Sequence, residues 1–311
     1  MKSSVMKNTH ALPKIGLIGL GIMGGAMAKH LVESGFDVCG YDIDPKARAR
    51  LKNLGGTPYT SIGRVVQHVD IAITSLPSAQ ALKAVTLEIT QNLVKPNGVG
   101  KVVIETSTLP IQDKESCAKH LKSVGIVTLD CPIIGTVSHL KDRTWTIFAS
   151  GPKKSYLQVL PLLRQFTDDT PYLGVFGSGT KMKLAANHLV AIYNVAYAES
   201  VTLARKMGLD PREMLQHFGN SPILGTGVMR SRMAMMVERK YAPATMKVDV
   251  WQKDMAIIGD LAKTVNCPTP LFTVSADIYT AAMAQGLALE DTAATAEVLG
   301  SMAGIKPRRN Q

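Results

Sequence analysis

Over residues 14–176 the apolar positions form short unbroken runs, separated by segments where they recur at helical spacing. The run at 14–20, KIGLIGL, carries no charge after Lys14, as a strand buried on both faces of a parallel sheet requires. FDVCGYD, ending at Asp42, reads the same way, as do DIAITSLP (70–77), GKVVIETST (100–108), GIVTLDCPIIG (125–135) and TWTIFASG (144–151). After the first run, MAKHLVESG places Met27, Leu31 and Val32 on one helical face, and Gly35 ends the helix. DPKARARLKNLG predicts a second helix, with Asp44 as N-cap and Pro45 at the first helical position. Strand alternating with helix implies a mostly parallel sheet covered on both faces.

Beyond residue 176 the strand signal nearly vanishes. Residues 179–210 have one long helical character, with no breaker before Gly208. PREMLQHF, GVMRSRMAMMVERK, KVDVWQKDMAIIGDLAKTV, LFTVSADIYTAAMAQG and DTAATAEVLG follow as helical segments parted by Pro and Gly. The expected organisation is a loose tail (1–13), an α/β domain (14–176) and an all-helical domain (177–311) that opens with a long helix.

Composition narrows the function classes. With 311 residues, 46% of them hydrophobic, the chain can bury one or two cores. No apolar run is long enough to span a membrane, and the polar start lacks a signal-peptide core. Cys39, Cys117, Cys131 and Cys267 form no C-x-x-C pair. They read as reduced core residues of a cytoplasmic protein that needs no metal. The net charge of +11 is scattered and the aromatic content is only 5%. Attraction of small anions therefore accounts for the charge better than nucleic-acid binding.

Gly19, Gly21 and Gly24 stand in G-x-G-x-x-G spacing, directly after the first strand and at the opening of the first helix. In a dinucleotide site the first glycine permits the tight turn, the second admits the pyrophosphate, and the third lets helix and strand pack closely. The helix N-terminus, here Leu20, Ile22 and Met23 with the glycines, then favours the phosphates. Asp42 stands where an acid accepts hydrogen bonds from the adenosine ribose, and its charge opposes a 2′-phosphate. The expected cofactor is NAD rather than NADP. An ordinary glycine turn with a solvated Asp gives the same letters.

IGLIGLGIMGGAMAKHLVESGFDVCGYD resembles the start of the β-hydroxyacid dehydrogenase family, which includes 3-hydroxyisobutyrate dehydrogenase and tartronate semialdehyde reductase and is related to 6-phosphogluconate dehydrogenase. Four later segments extend the resemblance over nearly the whole chain: SLP (75–77), ETSTLP (105–110), GSGTKMKLAANHL (177–189) and KDM (253–255). The resemblance implies a Rossmann-type domain followed by a 6-phosphogluconate dehydrogenase-like helical domain that assembles as a homodimer or homotetramer. It implies Lys183 as general acid/base, acting on a small 3-hydroxyacid or its semialdehyde. A base role demands a lowered lysine pKa, which a desolvated cleft or a nearby cation supplies.

By the same resemblance Asn187, one helical turn after Lys183, binds substrate or orients the lysine, although the family's neighbouring Asn is Ala186 here. Leu76, Pro77 and Thr108 are expected beside the cofactor. Lys253 is expected to reach toward cofactor and substrate, with Asp254 orienting nearby groups. The substrate is expected to be anionic. A structural alternative stands beside each role: a solvated lysine, a surface Asn, a strand-end cap, a helix-surface ion pair.

The chain departs from the family at DCPIIGTVSHLKDRTW (130–145). Where members typically carry Ser-Gly-Gly for the substrate carboxylate, this chain has Ile134, Gly135 and Thr136. Backbone N–H groups of Gly135 and Thr136, the Thr136 hydroxyl, Ser138, His139 and Arg143 are candidate replacement donors. The apolar Ile134 leaves open a bulkier substrate, an imine or a non-carboxylate carbonyl. A cofactor-binding protein without catalysis is the non-enzymatic alternative, although Lys183, Asn187 and Lys253 are all retained.

Overall fold

The computed structural model describes residues 13–93 and 98–306. The expected tail therefore lies, except for Pro13, outside the described residues. The chain divides into two compact units, Met1–Lys183 and Leu184–Gln311.

In the first unit, β1 (Ile15–Ile18), β2 (Val38–Tyr41), β3 (Thr57–Pro58), β4 (Ile71–Thr74), β5 (Val102–Glu105) and β6 (Val127–Asp130) form one parallel sheet in the order β3-β2-β1-β4-β5-β6. Ile15 stands in register with Val38 on one side and Ile71 on the other. Strand order reverses between β1 and β4, so the loops after these two strands diverge and leave a crevice at their carboxyl ends.

Adjacent residues of each strand face opposite layers. Leu17 packs with Met27 and Leu31 of α1 (Ile22–Glu33) and with Leu162 and Phe166 of α7 (Lys153–Phe166). Ile18 packs with Val65 of α3 (Ile62–His68), Ile89 of α4 (Ala79–Asn92) and Leu121 of α5 (Ile111–Ser123). Each fully buried Leu or Ile contributes roughly 1.5–3 kcal/mol. This is why the strands read as continuous apolar runs. The helix after β2, α2 (Pro45–Asn53), starts as its sequence predicts, with Asp44 accepting from the Lys46 N–H at 2.8 Å.

Two strand expectations need correction. The run 125–135 is broken after Asp130, and its end forms β7 (Ile133–Ile134). The run 144–151 forms β8 (Thr146–Ile147), which pairs antiparallel with β7 outside the main sheet, and beyond it Ser150 makes a single antiparallel bridge to Asp130. Past Asp130 the chain turns to the 148–150 segment: Asp130 and Ser150 exchange backbone hydrogen bonds, and the Phe148 N–H donates to the Pro132 carbonyl. The structure also adds β3, whose two residues, one a proline, carry no periodic signal.

The second unit is helical. The long α8 (Ser178–Lys206) runs through the division between units. It is followed by α9 (Pro211–Gly219), α10 (Gly227–Glu238), α11 (Val248–Thr264), α12 (Pro270–Ala284), a 3-10 turn (Thr292–Ala294) and α13 (Thr295–Met302). Ala198, Val201, Met229, Met233, Met236 and Tyr241 form its principal core. Asp291, fully buried, ties this unit together by accepting from the N–H groups of Thr245, Met246 and Ala293 and from the Arg232 guanidinium. Among the described residues no helix is long and apolar enough to cross a membrane.

Candidate active site

The glycine loop leaves β1 at the switch point. Gly19 has φ +90°, and a methyl there would run into the Ser75 carbonyl. A methyl on Gly24 would overlap the Gly19 carbonyl oxygen. Gly21 differs: a Cβ built on it meets no atom within 4 Å. It is also the N-cap of α1 and supplies no capping side chain. The start of α1 therefore faces open space with its first N–H groups uncapped by any side chain. This is the arrangement that receives a pyrophosphate. Ile22, beside it, is 82% exposed.

Asp42 closes the same loop. One carboxylate oxygen accepts from the Leu20 N–H at 2.6 Å, and the other from the Asp44 N–H at 2.8 Å. The acid is thus fixed rather than solvated, and each oxygen keeps a second lone pair for a ribose hydroxyl. The residues present fit a dinucleotide. Gly19, Gly21 and Gly24 with the start of α1 would hold the pyrophosphate, and Asp42 the ribose. Among the described residues no cluster of three or more His, Cys, Asp or Glu side chains is placed to hold a metal ion.

The loops after β4 and β5 are joined. The Leu76 N–H donates to Ser107 Oγ at 2.8 Å, and Thr106 Oγ1 donates to the Thr74 carbonyl at 2.7 Å. Pro77 is exposed, and Leu76 and Thr108 are half-buried. Beneath these loops lies a polar group that the motifs do not announce. Glu105 accepts from Thr74 Oγ1 and the Ser107 N–H, both at 2.8 Å. Burial pushes its carboxyl above the ordinary range, against the pull of the Lys114 ammonium. Lys114, 1% exposed, donates to the Ser107 carbonyl (2.9 Å), Asp130 Oδ1 (2.6 Å) and Thr180 Oγ1 (2.9 Å). Asp130 Oδ2 accepts from the Thr180 N–H at 2.8 Å, and the Gly179 N–H donates to Ser150 Oγ at 3.0 Å. Two N–H groups in the first turn of α8 are therefore capped by side chains distant in sequence. That turn packs with the first unit, which explains why the compact units divide at Lys183 inside α8.

One signal for this group was present in the sequence. Lys114 stands on the apolar stripe of α5, with Ile111, Cys117 and Leu121 as its buried companions. A lysine at a core position requires buried partners. Which carboxylates supply them depends on strand order.

Lys183 lies half-buried in α8, one turn beyond Thr180. Asn187, one turn further and buried, donates to Asp254 Oδ2 at 2.8 Å. Asp254 on α11 also pairs with its neighbour Lys253 at 3.2 Å. Asp254 is thus the link between Asn187 and Lys253 in the second unit.

The 130–145 segment folds differently from the expectation of free donors. Gly135 has φ +128°, and a Cβ there would strike the Trp145 ring. Trp145 is buried and its indole N–H donates to the Thr136 carbonyl at 2.7 Å. Both the Thr136 N–H (3.1 Å) and its hydroxyl (2.8 Å) bond to His139 Nδ1, closing the start of the short α6 (Val137–Lys141). Arg143 is turned to the end of α7, donating to the Gln165 and Arg164 carbonyls and to Asp168. Thr136, His139 and Arg143 are therefore committed to local structure, while Ile134 remains half-buried. The Ser138 side chain lies outside what the structure describes.

Comparison with known proteins is consistent with this geometry. Residues 14–174 match the family described as the NAD binding domain of 6-phosphogluconate dehydrogenase. Residues 177–299 match that described as NAD-binding of NADP-dependent 3-hydroxyisobutyrate dehydrogenase. An L-threonate dehydrogenase of Cupriavidus necator is 28% identical over 295 residues, covering 91% of this chain and 95% of the relative. The fold superimposes on the 3-hydroxyisobutyrate dehydrogenase of Mycobacterium tuberculosis with a TM-score of 0.83 at 23% identity, covering 93% and 99% of the two chains. It also superimposes on an imine reductase from Pseudomonas sp. with a TM-score of 0.64 at 18% identity, covering 93% and 100%.

Proposed function

This chain belongs to the β-hydroxyacid dehydrogenase family of oxidoreductases, and we propose that it oxidises a small 3-hydroxyacid, or reduces the matching semialdehyde, with NAD. One observation carries the reading. The carboxyl edge of the sheet that carries the glycine loop after β1 also carries, three strands away, Asp130 at the end of β6, which with Ser150 holds the turn of α8 that leads to Lys183. The bound nicotinamide supplies the hydride acceptor or donor.

The chain's residues do the rest. Gly21 and the start of α1 bind phosphate, and Asp42 accepts from the ribose and opposes a 2′-phosphate. The joined 75–77 and 106–108 loops shape the nicotinamide side. Lys183 takes the hydroxyl proton during oxidation and returns it to the forming alkoxide during reduction. Asn187, held by Asp254, orients the substrate. The relatives' substrates point to small hydroxyacids, and the net positive charge draws such anions in. Assembly as a homodimer or homotetramer and residence in the cytoplasm complete the proposal.

A second reading has specific support. Thr136 and Arg143 are engaged elsewhere and Ile134 stands in the family's serine position, which favours a substrate without a carboxylate at that end, an imine or simple carbonyl. The test is initial rates with NAD and NADP across 3-hydroxyacids, including L-threonate and 3-hydroxyisobutyrate, beside imines and Lys183→Ala. Hydroxyacid turnover with NAD that drops by about 10²–10⁴-fold in the variant supports the first reading. Turnover of imines alone supports the second.

A further inference from the structure

We propose that Lys114, acting through Asp130 and Thr180, is the positioning residue that sets Lys183 against the loop carrying Thr108. The proposal rests on the dehydrogenase reading and adds residues outside the family motifs.

The argument begins with the ammonium. Lys114 has three N–H donors and all three are used, on elements far apart in sequence: Ser107 at the end of β5, Asp130 at the end of β6, and Thr180 in the first turn of α8. Thr180 is bound twice more by Asp130. Its N–H donates to Oδ2 at 2.8 Å and its hydroxyl to Oδ1 at 2.7 Å. Lys114, Asp130 and Thr180 are each at most 1% exposed, so no water competes for these bonds. Close packing leaves no slack, since a methyl on Gly179 would overlap the Phe148 carbonyl.

Residues three apart on a helix lie on the same face, so Lys183 follows Thr180 directly along α8. The same ammonium therefore grips the carbonyl preceding Thr108 and the turn preceding Lys183. Its bond lengths fix the distance between the two loops. An acid/base group displaced by about 1 Å from its reacting proton loses about 100-fold in rate. A network of this kind is thus a device for rate, beyond its contribution to stability.

The test uses the full-length protein with Lys114→Met, Thr180→Val and Thr180→Ser. Val keeps the shape of Thr and the N–H to Asp130 but lacks the hydroxyl, while Ser keeps the hydroxyl. The NADH dissociation constant, read by fluorescence, stays within about threefold in all three, because the pyrophosphate and ribose are held elsewhere. The expected kcat falls about 10- to 100-fold in Lys114→Met and Thr180→Val, with Thr180→Ser restoring it. Amide exchange at residues 179–183 accelerates about tenfold in Lys114→Met while β1 and β4 stay protected.

Unchanged exchange overturns the proposal whatever the activity. Faster exchange with unchanged kcat overturns the positioning role. If the wild type turns over no hydroxyacid, the dehydrogenase reading fails by itself. Exchange at 179–183 then still decides whether Lys114 anchors the helix.

Discussion

Two helices of the first unit begin beside the ends of the sheet, and their first turns are treated in opposite ways. At the start of α1 the capping residue is Gly21, no side chain caps it, and the space before it is open. At the start of α8 the positive end of the helix is filled by the Asp130 carboxylate and the Ser150 hydroxyl, both fully buried. The same backbone property, unsatisfied N–H groups with a favourable dipole, serves two purposes. Left open, it leaves room for an external anion. Filled from within, it anchors a helix whose next turn carries Lys183. What separates ligand site from anchor is whether the protein supplies its own carboxylate.

The comparison breaks most visibly at Asp130. Asp130→Asn removes the charge from the α8 cap and leaves the Lys114 ammonium buried without its closest counterion. A loss of about 3–5 kcal/mol is expected, read from urea unfolding. A loss below 1 kcal/mol would show that the anchor contributes little.

At the other start the effect should fall on binding instead. Gly21→Val places its Cβ in open space, so the melting temperature is expected to stay unchanged. The NADH affinity drops about 10- to 100-fold, or about 1.4–2.7 kcal/mol. Gly24→Ala reverses the pattern, because its methyl overlaps the Gly19 carbonyl and must shift the helix, at about 1–3 kcal/mol of stability. Equal melting temperatures for the two variants would remove the distinction between open and packed glycines.

A smaller effect sharpens the anchor's electrostatics. Burial raises the Glu105 carboxyl above its ordinary 4.5. The folded protein then retains a proton that the unfolded chain has released. The cost of ionising Glu105 is absent below about pH 4.5 and grows until the folded carboxyl has itself ionised. Relative to wild type, Glu105→Gln is therefore expected to gain stability as pH rises through that window and to hold the gain above it. Urea unfolding at successive pH values measures the difference, and a difference independent of pH would contradict it.

The smallest effect concerns thiols. Cys39, Cys117 and Cys131 are buried and Cys267 is exposed. Burial raises the Cys117 and Cys131 thiols and pushes Cys39 up to about 11. One thiol is expected to react with Ellman's reagent in the native protein and four after denaturation, and fast labelling of a second would place local opening in the first unit.

Legibility differed between the two starts for the same reason that their roles differ. The α1 loop is local: Gly19, Gly21, Gly24 and Asp42 lie within one strand–helix–strand unit, so spacing alone placed the glycines at the turn and the acid against it. The α8 anchor joins residues 105, 107, 114, 130, 150 and 180, and only the misplaced Lys114 hinted at it. In the 134–143 loop, Thr136, His139 and Arg143 stand in a linear string as donors with no partner in view. Their partners are supplied by a buried Trp145 and by the end of α7.

From the sequence alone followed the alternation of strands and helices, the helical second half, the glycine loop and its acid. Each rests on periodicity or on contacts between near neighbours, and these survive in one dimension. Only the tertiary structure decided that β7 and β8 leave the main sheet, that Asp130 caps a helix fifty residues away, and that Lys114 joins two loops. These depend on which strand ends become neighbours, and neighbours are chosen by packing the whole sheet at once.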